Sequence, residues 1–241
     1  MMRRGLLLPW LVSPLSMPIA MAQVPQQIIP SIMEPGTPSF VYAGASASSS
    51  GSGGSTASTN YTGAWGSTDA MSTLLSQSYG SAAVNAAEDE GINPDTLAAF
   101  GQIESHFQNV GNATSSAQGV WQVTNGTWNQ YASELGLSDA DRSDPAVQAQ
   151  VASAVISDYA AAVSKATGTS ATAAQTYGAY MFGTKAGSEI ATESDSSAPL
   201  SKFVSASTLA ANNMSGWTVG QYYATISNRM GNGASEAVIT S

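Results

Sequence analysis

The sequence predicts a mainly α-helical single domain behind an export signal and a low-complexity tether, and three observations predict it. A chain of 241 residues, 43% of them hydrophobic, can fill one core but not two full-sized ones. From about residue 67 onward, capping residues precede apolar runs at helical spacing and glycines follow them, without a run of strand-like alternation. Before that point the chain is first signal-like and then rich in Pro, Gln, Gly, Ser and Thr.

At the N-terminus, Arg3 and Arg4 precede an apolar stretch from Leu6 to Leu15, and Ala20-Met21-Ala22 supplies the small-x-small pattern of a signal-peptidase site. Pro9, Pro14 and Pro18 interrupt the stretch, and it falls short of the ~20 apolar residues of a membrane span. Residues 1–22 therefore read as a signal peptide cleaved near Ala22, which predicts a periplasmic or secreted protein with no stable membrane span after cleavage. Residues 23–66 read as a flexible linker, in which Ile28-Ile29 and Phe40-Val41-Tyr42 are candidates for a docking segment. The folded domain is expected over residues 67–231, and 232–241 as a tail.

Charge narrows the function classes. The formal net charge is −9, and removal of Arg3 and Arg4 with the signal leaves 5 basic against 16 acidic residues, or −11. Nucleic acid and anionic membrane surfaces are poor partners for five scattered cations. Cysteine is absent, which excludes disulfides and thiol chemistry, and the one histidine, His106, builds neither a metal site nor, without a nucleophile at hand, a triad. No cofactor and no metal are expected.

Helices follow in order. Asn93-Pro94-Asp95 is an N-cap, a first-turn proline and a first-turn acid, opening a helix that carries Leu97, Phe100, Gly101 and Glu104. Asp144-Pro145 opens another, with Val147, Val151, Ala154, Val155 and Ala162 on one stripe and a stop near Gly168. Further helices are expected over 127–135, 171–182, 185–191, 207–211 and 219–230.

Glu104 shares the face of Leu97, Phe100 and Gly101, so its carboxyl points to a core or a cleft. It also sits in the helix's last turn, where the macrodipole disfavours an anion. Burial and dipole both favour the neutral acid, and a carboxylic acid kept protonated near neutrality is what a general acid requires. The same position also suits a glutamate that merely reaches out to solvent at a helix end.

The residues after it separate these readings. Glu104-Ser105-His106-Phe107 leads through a polar loop to Ser115-Ser116-Ala117-Gln118-Gly119-Val120-Trp121-Gln122 and Thr127-Trp128, and Tyr177-Gly178-Ala179-Tyr180-Met181-Phe182-Gly183 comes later. In order and content these resemble the three motifs of the soluble lytic transglycosylase family, over about residues 81–230, and residues 198–212 are similar to the tail of an exported or phage-related branch. The resemblance implies a lysozyme-like fold, the glycan strands of peptidoglycan as substrate, and Glu104 as the acid that protonates the glycosidic oxygen and then acts as base. It implies that Gln122 binds sugar polar groups, that Ser116 or the adjacent Ser115 is the loop serine, and that Tyr177 flanks the acid. Trp121 and Tyr180 depart from the family's usual residues and stand as further candidates for substrate contact, although aromatic side chains at such positions are as often core. Trp65 and Trp217 read as core, and Trp128 is open between the two.

No Asp or Glu occurs between Ser105 and Ser133, the segment from which lysozymes often supply a second carboxylate. The family's route needs none, because the sugar's own hydroxyl closes on the anomeric carbon to give a 1,6-anhydro end. Asp141 and Asp158 remain the carboxylates that the fold could bring near. The alternatives are a hydrolytic muramidase on the same fold and a non-catalytic peptidoglycan-binding or assembly factor, for which a secretion or other envelope-spanning complex is a candidate partner.

Overall fold

A computed structural model describes residues 69–112 and 115–240. The expected signal peptide, the linker with its docking segment, and Trp65 lie outside the described residues. Nine α-helices run in order among those described: α1 (Ala70–Leu75), α2 (Gly80–Asp89), α3 (Pro94–Ser105), α4 (Asn125–Glu134), α5 (Pro145–Thr167), α6 (Ala173–Phe182), α7 (Thr184–Thr192), α8 (Ala206–Ala211) and α9 (Val219–Met230). Short 3-10 turns cover Leu200–Lys202 and Gly231–Ser235, and β pairing is confined to isolated bridges among these residues. The domain is mainly helical, as a lysozyme-like fold requires. None of the described helices is long and apolar enough to cross a membrane.

The predicted caps form. The Asn93 side chain accepts from the Asp95 amide at 3.0 Å with Pro94 in the first turn, and Asp144 accepts from Ala146 at 2.9 Å ahead of Pro145. Two starts use capping boxes, Thr172 with Gln175 on α6 and Thr218 with Gln221 on α9. Their Thr-x-x-Gln spacing places the α6 start at Ala173, two residues after the expected 171. Helix α1 is only six residues long and α2 carries a single large apolar side chain, Val84, which is why periodicity did not single them out.

Helix α3 is buried on all sides from Thr96 to Ser105. Helices α1, α2, α5, α6 and α9 pack against it, and the long α5 supports α2, α4, α6 and α7. An aromatic cluster locks three of these helices together. Phe100 of α3 stands edge-on to Tyr177 and Tyr180 of α6, with centroids 5.2 and 5.0 Å away, and Tyr159 of α5 meets Tyr180 at 6.1 Å.

Contacts of the helical domain continue past residue 231, its expected end. Val238 is buried; its carbonyl accepts from the Asn93 amide at 2.7 Å, and its amide donates to the Ala171 carbonyl at 3.0 Å. The Glu236 carbonyl accepts from the Ala173 amide at 3.1 Å, and its carboxylate accepts from the Asn93 side chain at 2.6 Å. This last segment therefore stitches the starts of α3 and α6 to each other. Its polar sequence, Gly231-Asn232-Gly233-Ala234-Ser235-Glu236, resembles a tail because its bonds are made by backbone groups that composition does not reveal.

Candidate active site

Glu104 ends α3 and is 0% exposed. The chain leaves the helix through two successive non-glycine residues in the left-handed region, His106 at φ 51° and Phe107 at φ 62°, a backbone that must be held by its surroundings. The Tyr79 hydroxyl holds it by donating to the Phe107 carbonyl at 3.0 Å. Gly101 makes room beside it, since a Cβ there would stand 2.9 Å from the Phe107 ring and 3.3 Å from the Trp121 indole nitrogen.

Two hydrogen bonds fasten the polar loop to this helix end and to α6. Ser105 donates its hydroxyl to the Val120 carbonyl at 2.7 Å, and Tyr180 donates to the Trp121 carbonyl at 2.6 Å. The loop also pairs with itself through bridges from Gly111 to Gln118 and from Gln118 to Val123. Segments predicted from separate motifs thus meet at the end of α3: the 119–122 turn through Ser105 and Tyr180, and α6 through Tyr177, which acts on Glu104.

Burial pushes the Glu104 carboxyl up to about 8, and the Tyr177 hydroxyl, whose proton favours the carboxylate, offsets part of that. Tyr177 itself is 2% exposed, and burial, then the neighbouring Glu104, push its own proton loss well above the ordinary range. Tyr177 acts on the carboxyl, yet neither Glu104 oxygen completes a hydrogen bond of good geometry with a described residue. A buried acid left in this state is costly in a merely structural role, which makes Glu104 a candidate for a working group.

No second carboxylate acts on Glu104 among the described residues. Asp158 accepts from the Tyr131 hydroxyl at 3.0 Å and bears on Glu90, and Asp141 is exposed, capping Ser143. The two carboxylates that the sequence left open are therefore engaged elsewhere.

Residues 81–198 match the family model of the transglycosylase SLT domain. The chain carries a transglycosylase SLT domain. That family consists of lytic transglycosylases acting on peptidoglycan, which implies peptidoglycan-degrading activity of that type for the SLT domain. A search among curated proteins found no match.

Within the SLT domain the expected substrate contacts divide. Ser115 and Ser116 lie on the loop, where their hydroxyls accept from the amides of Ala117 at 3.2 Å and Asn125 at 3.1 Å. An accepting hydroxyl still has its own proton to donate, so both serines keep a capacity for sugar contact. Gln122 is buried with φ 47°, and its amide nitrogen donates to the carbonyls of Val110 at 2.9 Å and Gly119 at 2.8 Å. Its side chain shapes the loop from within.

Trp121 and Tyr180, the further candidates for substrate contact, lie inside the packed core. Trp121 is fully buried, donates its indole N–H to the Leu97 carbonyl at 2.9 Å and meets Tyr79 edge-on at 6.1 Å. Tyr180 is buried in the aromatic cluster and spends its hydroxyl on the Trp121 carbonyl. Trp128 is buried too, with the Arg142 guanidinium over its ring at 5.4 Å, and Trp217 packs against the core while only partly buried. Local sequence could not separate stacking from packing, because an aromatic ring serves both.

Two residues outside the matched segment bear on the site. Tyr222 of α9 adds to the upward push on Tyr177, and its hydroxyl would stand 3.3 Å from a Cβ at Gly178. Arg229, also on α9, opposes that push and, after the larger effect of burial, helps hold the half-buried His106 imidazole neutral. His106 is the left-handed cap of α3. Neither α9 residue belongs to a local motif, and only the return of the chain against α3 and α6 brings them near.

Proposed function

We propose that this protein is a lytic transglycosylase that cleaves the bond between N-acetylmuramic acid and N-acetylglucosamine in peptidoglycan and leaves a 1,6-anhydro-muramyl end. The observation that carries the reading is a single, fully buried Glu104 with its carboxyl pushed up to about 8 and no carboxylate partner acting on it among the described residues. Such a group is protonated at neutral pH and gives its proton to the glycosidic oxygen as the bond breaks. The resulting carboxylate then takes the proton of the sugar's own 6-hydroxyl as that oxygen closes on the anomeric carbon, so the acid ends as it began. A hydrolase of the two-carboxylate kind would hold a second group within about 5–9.5 Å of the acid.

Tyr177 stabilises the carboxylate formed midway, and its ring is held by Phe100 and Tyr180. Ser115 and Ser116 meet the sugar's polar groups, with Gln122 setting the loop that presents them. Because Glu104 is 0% exposed, a glycosidic oxygen reaches it only when the groups over it part, so glycan binding and opening are coupled. An export signal cleaved near Ala22 delivers the enzyme to the periplasm or beyond, where its substrate lies.

Mass spectrometry of the fragments released from purified peptidoglycan tests this, with Glu104→Gln run alongside. Anhydro-muropeptides from the parent and a loss of roughly 10²–10⁴-fold in the variant are expected. Reducing-end fragments mean a muramidase, and equal behaviour of parent and variant means a binding or assembly role.

A further inference from the structure

Gln148 stands in the second turn of α5, far in sequence from the three motifs, yet its buried side chain is the point where the loop is gathered. Its Oε1 accepts from the Val120 amide at 2.9 Å, while its Nε2 donates to Asn109 Oδ1 and to the Arg142 carbonyl, each at 2.9 Å. One amide thereby joins the limb that leaves α3, the limb that carries the Gly119 turn, and the strap ahead of α5. Gly119 has φ +88°, and a Cβ there would stand 2.5–2.7 Å from the Gln148 amide atoms, so the turn is moulded on that amide.

Arg142 works from the other side. Its Nη1 donates to the Asn125 side-chain oxygen, and its Nη2 donates to the carbonyls of Val123 at 2.6 Å and Ser116 at 3.2 Å. The guanidinium spans the loop from its serine end to the start of α4, with its face on Trp128. Its charge is met by carbonyl dipoles, a planar fork use that lysine cannot copy. Gln148 is equally specified, since only a neutral amide both accepts once and donates twice in that place.

We infer that Gln148 and Arg142 are positioning residues for glycan binding, setting from α5 and its leading strap the loop that carries Ser115, Ser116 and Gln122. The inference rests on the transglycosylase reading above. It separates the two halves of the site: α3 and α6 hold the proton, and the α4–α5 strap holds the surface that meets the sugar.

The test uses the purified protein, its Gln148→Met and Arg142→Lys variants and the double variant, with soluble uncross-linked glycan strands as substrate. KM is expected to rise about tenfold or more in each single variant, toward the ~10²-fold that an ångström of misplacement costs, with the high-pH limb of kcat where the parent has it. The double variant is expected to be less than additive, because both residues hold one loop. A fall in kcat that tracks a lower melting temperature, with KM unchanged, overturns the inference.

Hydrogen exchange keeps this separate from the reading it rests on. If the parent cleaves nothing, the transglycosylase reading fails on its own. The loop-holding role is then judged by amide protection, with loss confined to residues 109–123 in Gln148→Met supporting it and loss spread through the domain, or none, overturning it.

Discussion

The Ser105 hydroxyl donates to the Val120 carbonyl at 2.7 Å, so the residue that follows the acid is bonded to the loop that faces it. Both groups are buried, and Ser105→Ala leaves the carbonyl without that donor. The expected cost is about 1–3 kcal/mol of stability, read from thermal or denaturant unfolding, together with a loss of glycan cleavage. A variant with unchanged stability and turnover would show that the bond does not hold the site.

Glu104 makes stability depend on pH in a particular sense. Its folded-state value of about 8 lies above the ordinary 4.5, so its contribution is fully present below pH 4.5 and is lost as pH rises through the window to about 8. Glu104→Gln, which does not titrate, is expected to gain on the parent across that window, by an amount on the order of a few kcal/mol. Melting curves of both proteins at pH 4.5, 6.5 and 8.5 check this, and parallel behaviour across the range contradicts a buried neutral acid.

Tyr177→Phe keeps the ring among Phe100 and Tyr180 but removes the hydroxyl that lowers the Glu104 value. In the proposed reaction cleavage requires the protonated acid, so activity is expected to fall on the alkaline side as pH passes its pKa. That limb is expected to move to higher pH in the variant, with a lower maximum rate because the midway carboxylate loses its donor. The pH profile of kcat/KM measures both.

Trp121 is core, and its replacement is expected to act on folding first. Trp121→Ala removes a fully buried indole and its bond to Leu97, at a cost of about 3–5 kcal/mol. A sugar platform at this position would instead raise KM and leave unfolding unchanged.

Removal of residues 232–241 tests the final stitch. It takes away the partners of Asn93 and Ala173 at the starts of α3 and α6, as well as buried Val238. A lower melting temperature with weakened cleavage is expected, whereas a dispensable tail leaves both in place.

Much of this was legible in sequence because it is written in local chemistry. Asn93-Pro94-Asp95 and Asp144-Pro145 declare helix starts through capping oxygens and a fixed proline φ, and the structure opens α3 and α5 there. The i, i+4 and i, i+7 spacing put Glu104 on an inward face, and the absence of Asp and Glu from Ser105 to Ser133 left it without a nearby partner in the chain. The motif order named the family.

Tertiary structure decided what depends on partners distant in the chain. Trp121 and Tyr180 are candidates for substrate contact in the sequence, and the fold bonds one to Leu97 and the other to the Trp121 carbonyl. Gln148, Arg142, Tyr222 and Arg229 carry no local signal, and the hydrogen bonds of the first two and the electrostatic influence of the last two on Tyr177 reach across long stretches of chain. The last segment reads as a tail because backbone hydrogen bonds, which hold it to α3 and α6, are the same for every composition. Sequence determined the main helix starts and the inward face of Glu104 through short-range periodicity and side-chain chemistry, and its motifs pointed to the family. The packed fold determined which polar and aromatic side chains are buried and bonded within the domain, since burial and hydrogen-bond partnership are properties of the whole chain.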